Sequence, residues 1–194
     1  MNIVHRAARR AGTCAIVAAL LLAAAPAFAH PGHGHDGLAA GMLHPLTGLD
    51  HLLALLAAGI WSVRQRGSGM AGWLLPAVFL AMMGAGAGAG MLGFHIDGLE
   101  SGIALTVLVT GVLIAAAVRL PLWAGAALLG GFAILHGNAH GLELPHPVAA
   151  LGYLATSALL LGAGRWIGHL RLQVPVDRLT GGAIAAAGLG MLAL

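Results

Sequence analysis

Six apolar stretches dominate the chain and leave little choice of fold. They lie near 45–63, 71–92, 100–118, 121–138, 146–164 and 179–194, each 16 to 22 residues long. A helix needs about 20 apolar residues to cross the hydrocarbon core of a bilayer, and in lipid every backbone N–H and C=O must find its partner within the protein. No dyad alternation of apolar and polar residues suggests barrel strands, so the sequence predicts an all-α, polytopic membrane helix bundle of about six transmembrane helices. Composition agrees: 59% of the 194 residues are hydrophobic and 8% are charged, where a soluble domain carries about 25% charged residues. All nine basic residues are arginines in short clusters without interleaved aromatics, which excludes a nucleic-acid footprint.

The N-terminus reads as a targeting segment. "MNIVHRAARR" holds three arginines, and "AGTCAIVAALLLAAAPAFA" follows with an apolar core ending in Ala27-Phe28-Ala29. A positive start, an apolar centre and an A-x-A end describe a secretory signal peptide. Residues 1–29 are expected to be removed, with a retained first helix as the alternative. Cleavage leaves 30–194 as a single transmembrane domain and removes Cys14, the only cysteine.

The segments between the apolar stretches are of two kinds. One set carries Arg64 and Arg66, Arg119, and then Arg165, Arg171 and Arg178; the other, "HPGHGHDG", "FHIDGLE" and "HGNAHGLELPHP", has no arginine. The positive-inside rule places the arginine set in the cytoplasm, and the strict alternation then puts both mature termini in the periplasm. On this reading nine of the eleven histidines and five of the six acidic residues fall on the outer side. Polar chemistry is gathered at one membrane face.

Three constellations there could carry it. In "HPLTGLDH", His44, Asp50 and His51 crowd the mouth of an apolar run, with Pro45 and Gly48 able to bend or break the helix. Imidazole and carboxylate suit divalent first-row metals; the plainer alternative is that His44 and Asp50 cap a helix end. In "LHGNAHGLE", His136, His140 and Glu143 stand at i, i+4 and i+7, one face of a helix. They could ligate a metal or bond to neighbouring helices, and the missing glutamate of H-E-x-x-H excludes a zinc protease. In "FHIDGLESG", Glu100 is a candidate because ionisable groups at membrane depth usually mark a pathway, while His95 and Asp97 are auxiliary candidates or solvated loop residues. The tail residues His30, His33 and His35 are a further loose metal-capture candidate. Met82, Met83 and Met91 would suit Cu(I), but methionine fills apolar gaps routinely. The run "GAGAGAG" (84–90) has no strand before it and reads as small-residue stripes, Gly84 with Gly88 and Gly86 with Gly90, that let helices approach closely.

"HPLTGLDHLLALLAAG", "LESGIALTVLVTGVL" and "LHGNAHGLELP" together resemble the HupE/UreJ family of hydrogenase- and urease-linked accessory membrane proteins, regarded as nickel or cobalt permeases. The likeness runs from about residue 30 to the C-terminus. It implies that His44, Asp50 and His51 bind metal, helped by His136, His140 and Glu143. It also implies a signal peptide, six spans, a bacterial cytoplasmic membrane location, and Ni2+ or Co2+ as transported ion with no permanently bound cofactor. Leu55 is a departure, standing where the family often has Met, so no thioether is available there.

The chain has no G-x-x-x-x-G-K-[ST] and no lysine to supply one, which rules out an intrinsic ATPase of that type. The expectation is a secondary or channel-like permease rather than an enzyme, with divalent metal and membrane lipid as partners and a homo-oligomer left open. The rival reading is a zinc-dependent intramembrane hydrolase built on the same histidines and Asp50, with Ser101 assisting.

Overall fold

A computed structural model describes residues 37–65, 72–170 and 174–194. The expected signal peptide, Cys14 and the His30, His33 and His35 tail lie outside the described residues. Every regular element among the described residues is helical. In chain order they are α1 (Leu38–Thr47), α2 (Leu49–Val63), α3 (Leu74–Met91), α4 (Leu99–Ala115), α5 (Leu122–Glu143), α6 (Pro147–His169) and α7 (Val174–Leu192).

Helices α3, α5 and α6 are long and apolar enough to cross a membrane. The 22 residues of α5 and 23 of α6 rise about 33–35 Å, matching a hydrocarbon core of roughly 30 Å. Helix α4 is apolar but shorter, at 17 residues. Helices α1 and α2 together pass the same test as one broken span, bent by 79°. The break is a single residue. Gly48 adopts an extended backbone (φ −79°, ψ 112°), ending α1 and starting α2. Pro45, without an N–H, weakens the last turn of α1. The sequence suggested a bend at Pro45 or Gly48 inside one span from 45 to 63; the structure puts it at Gly48 and extends the first limb back to Leu38. Likewise, α5 continues beyond the expected limit at 138 to Glu143, so His140 and Glu143 share one continuous helix with His136.

Close backbone approach at glycine sets the packing. On α3, Gly86 and Gly90 lie against the Ile134 and Asn138 carbonyls of α5; reciprocally, Gly137 and Gly141 lie against the Met83 and Ala87 carbonyls of α3. A Cβ at any of these four positions would collide with backbone. Gly59 of α2 and Gly164 of α6 make a similar pair, as do Gly111 of α4 and Gly181 of α7. Small residues at helix crossings are how helices pack in lipid, where burying apolar surface gives little drive. The expected stripe is thus half right: Gly86 and Gly90 pack, whereas Gly84 and Gly88 face open space.

The molecule is apolar outside as well as in. Trp123, Leu151, Leu159, Trp166 and Leu179 are exposed, whereas His51, His136, His140, Thr106 and Ser157 are buried. That inversion suits a lipid surround. Met83 sits in the central apolar cluster with Trp61, Phe79 and Tyr153, and Met82 and Met91 pack against it.

The arginine-bearing end is tied by its own bonds. Trp61 Nε1 donates to the Val118 carbonyl at 3.1 Å, Leu120 N donates to Gln65 Oε1 at 2.8 Å, and Arg64 pairs with Asp177 at 2.8 Å. Buried Arg165 donates to Ser62 Oγ at 3.1 Å and to the Gly72 carbonyl at 2.7 Å, with its guanidinium 4.2 Å from the Trp73 ring centroid.

Candidate metal centre

The break at Gly48 brings the two limbs of the bent helix to the far end of the bundle, against the last turns of α5. Four imidazoles meet there. His51 lies with its ring centroid 4.2 Å from that of His140 and 4.8 Å from that of His136. His44 is 4.8 Å from His140 and 5.7 Å from His51. The i, i+4 spacing of His136 and His140 puts both on the face of α5 that meets α2. All four rings contact edge-to-face.

Accessibility falls with depth. At the mouth, His44 Nε2 donates to Glu143 Oε2 at 2.7 Å; the two side chains are 27% and 46% exposed. Asp50 is exposed to the same degree as His44, and its Oδ1 lies 3.0 Å from Nδ1 of buried His51. His140 and, one helical turn deeper, His136 have no effective contact with solvent.

The hydrogen bonds fix the tautomer of each inner ring. His51 Nδ1 faces a carboxylate, which can only accept, so Nδ1 carries a proton and, in the neutral ring, Nε2 has a bare lone pair. His140 Nδ1 lies 2.7 Å from the His136 carbonyl, which again can only accept, leaving Nε2 bare. His136 Nε2 lies 2.8 Å from Thr106 Oγ1, which itself donates to the Ile103 carbonyl at 2.7 Å. Thr106 has one proton and it is spent on Ile103, so His136 Nε2 donates and Nδ1 is bare. These three nitrogens, His51 Nε2, His136 Nδ1 and His140 Nε2, are all buried without a hydrogen-bond partner among the described residues. An unpaired buried acceptor is costly, and here three lie in contacting rings. A ring nitrogen held by a carboxylate, carbonyl or hydroxyl while the other is left free is the usual preparation of a metal-binding histidine. Among the described residues, no three His, Cys, Asp or Glu side chains already have their donor atoms drawn into a metal cage; coordination requires the rings to turn from their edge-to-face packing.

The structure therefore brings together His44, Asp50, His51, His136, His140 and Glu143, all singled out from sequence. It gives them unequal places: three inner imidazoles with free nitrogens, an outer His44–Glu143 pair, and Asp50 as the orienting partner of His51. Glu100, His95 and Asp97 are exposed and have no hydrogen bond or ion pair to this cluster among the described residues. Sequence reasoning missed Thr106, which in "GIALTVLVTGVL" looks like any membrane-helix hydroxyl. It also missed Tyr153, fully buried with its ring 4.7 Å from His140. Asn138, between the two histidines, is structural: its Nδ2 donates to the Phe94 carbonyl at 2.9 Å and ties down the turn before α4.

Among the described residues every element is helical, and three or four helices are long and apolar enough to span a membrane, which is compatible with the polytopic membrane class. Comparison with known proteins makes this specific. The HupE / UreJ protein family model matches residues 18–191, and Protein HupE of Rhizobium leguminosarum bv. viciae is 40% identical over 174 residues, covering 86% of this chain and 90% of that one. The chain belongs to the HupE/UreJ family. No solved structure matches it.

Proposed function

We propose that the protein is a secondary, non-ATP-driven permease that takes up divalent nickel, with cobalt as a second cargo, across the bacterial cytoplasmic membrane for metalloenzyme maturation. The observation that carries this reading is the set of three imidazole nitrogens, on His51, His136 and His140, that are buried with no partner among the described residues beside a break in a helix. Neutral imidazole suits Ni, Co, Zn and Cu alike; the choice of nickel rests on membership of the HupE/UreJ family. Broken helices at membrane depth are the usual framework of ion sites in secondary transporters.

The proposed route begins at the periplasmic mouth. Glu143 and Asp50 draw the hydrated cation, and His44, released from Glu143, begins to replace its water. The ion then passes to His51, His140 and His136, which substitute for hydration that hydrocarbon cannot supply. Entry into an inside-negative cell releases about 4.6 kcal/mol per 100 mV for a divalent ion, twice the roughly 2.3 per charge. That is enough to drive uptake without a pump, provided the histidines bind weakly enough to release the ion inward. The orientation adopted has six spans, the bent pair counted as one, with the arginine end in the cytoplasm and both mature termini in the periplasm.

Uptake of ⁶³Ni by nickel-limited cells tests the reading. Alanine at His51, His136 or His140 should lower accumulation at least tenfold at equal protein level. Unchanged accumulation, or metal-dependent lipid turnover by the purified protein without ion flux, would refute it.

A further inference from the structure

We propose that Thr106 is a positioning residue for the transported ion: its hydroxyl holds His136 as the Nε2–H tautomer and so keeps Nδ1 free as the innermost ligand. The proposal rests on the reading of the buried histidines as ion ligands and extends it to a residue outside the histidine motifs, on a different helix.

The geometry carries it. Thr106 stands seven residues into α4, about 10 Å below the start of that helix, at the depth of His136 and two-hundredths exposed. Its Oγ1 makes two short contacts, 2.7 Å to the Ile103 carbonyl and 2.8 Å to His136 Nε2. Only one arrangement of protons satisfies both. If the hydroxyl turned its proton toward His136, two oxygens would face each other at 2.7 Å with no hydrogen between them, and a buried Nδ1–H would have no acceptor. Thr110 reinforces the position by donating to the Thr106 carbonyl at 2.7 Å. Ser/Thr hydroxyls in membrane helices commonly bond back to their own carbonyls; here that ordinary bond turns the oxygen into a pure acceptor for the neighbouring ring. Asp50 does the same for His51, and the His136 carbonyl does so for His140. The deepest of the three rings is thus the one oriented by a neutral hydroxyl.

The test uses the mature full-length protein in lipid nanodiscs with ¹⁵N-labelled histidine rings. Metal-free protein is read by two-bond ¹H–¹⁵N correlation, which reports the tautomer of each ring, and then titrated with Co2+ alone, followed by its ligand-field spectrum. Wild type should show His136 as the Nε2–H form. Thr106→Ser should keep that form and stay within about threefold of wild-type Co2+ affinity. Thr106→Val and Thr106→Ala should lose the single tautomer and bind Co2+ 10–100-fold more weakly, the range expected for loss of an orienting partner, with the His51 and His140 signals unmoved as proof of folding. An unchanged His136 tautomer and Co2+ affinity in the valine and alanine variants, with wild type binding normally, overturns the role of Thr106 and leaves the histidine site standing. Failure of wild type to bind Co2+ overturns the histidine reading, and this proposal with it.

Discussion

Asp50 is where the structure most changes the meaning of a residue. From sequence it is a ligand, one of three side chains crowded at a helix mouth. In the fold its Oδ1 is engaged with His51 Nδ1 at 3.0 Å, which makes it the carboxylate of a carboxylate–histidine pair that orients the ring. The two roles predict different mutants. Asp50→Asn keeps an oxygen able to accept from Nδ1–H and should cost less than about tenfold in Ni2+ affinity, whereas Asp50→Ala should cost 10–100-fold. A directly coordinating carboxylate would make both substitutions equally severe. Isothermal titration of the two variants in nanodiscs decides between them. The same logic explains why Thr106 was not legible: a hydroxyl in "LTVLVTG" gains its meaning only from the ring that α5 places 2.8 Å away, and no spacing rule links positions on separate helices.

At the level of elements, the bent pair α1–α2 is the part on which the site depends. Its one-residue break turns the chain by 79° and sets His44 and His51, seven apart in sequence, on either side of the bend with both rings against His140. Gly48 sits close to the orienting pair: a Cβ there would stand 3.0 Å from Asp50 Oδ1 and 3.3 Å from His51 Nδ1, so those side chains would have to give by a few tenths of an ångström. Gly48→Ala should therefore press on the orienting pair and lower ⁶³Ni uptake roughly 10–100-fold at normal protein level; wild-type uptake in that variant would show that the pair does not set the site. Pro45 and Gly48 announced a bend in the sequence, but not its angle, which comes from the packing of α1 on α6. Gly41 of α1 lies against the Ala149 carbonyl and Gly152 of α6 against the Leu38 carbonyl, so the first limb is held along α6 while α2 turns into the bundle. The helix-period spacing of His136, His140 and Glu143 was readable directly. Gly137 and Gly141, each following a histidine, were not read as what they are, the positions where α3 comes against α5 and holds the histidine turns in place.

Across the whole molecule, polarity is sorted to the two ends. The arginine end is closed by Arg64–Asp177, Gln65–Leu120 and Arg165 with Ser62 and Gly72, and the histidine end opens through half-exposed Glu143 and partly buried His44. This sorting was visible in the sequence because loop composition needs no tertiary information. Which polar residues touch was not visible, because apolar helices of this kind carry little amphipathic signal and declare their neighbours only through glycine contacts. The most direct test of the account is X-ray absorption at the nickel edge on the purified protein in nanodiscs, loaded with one equivalent of Ni2+. The account predicts a first shell with three imidazole nitrogens and no sulfur, reduced by one imidazole in His136→Gln. A shell of water and carboxylate oxygens alone, or one unaltered by that substitution, would contradict it.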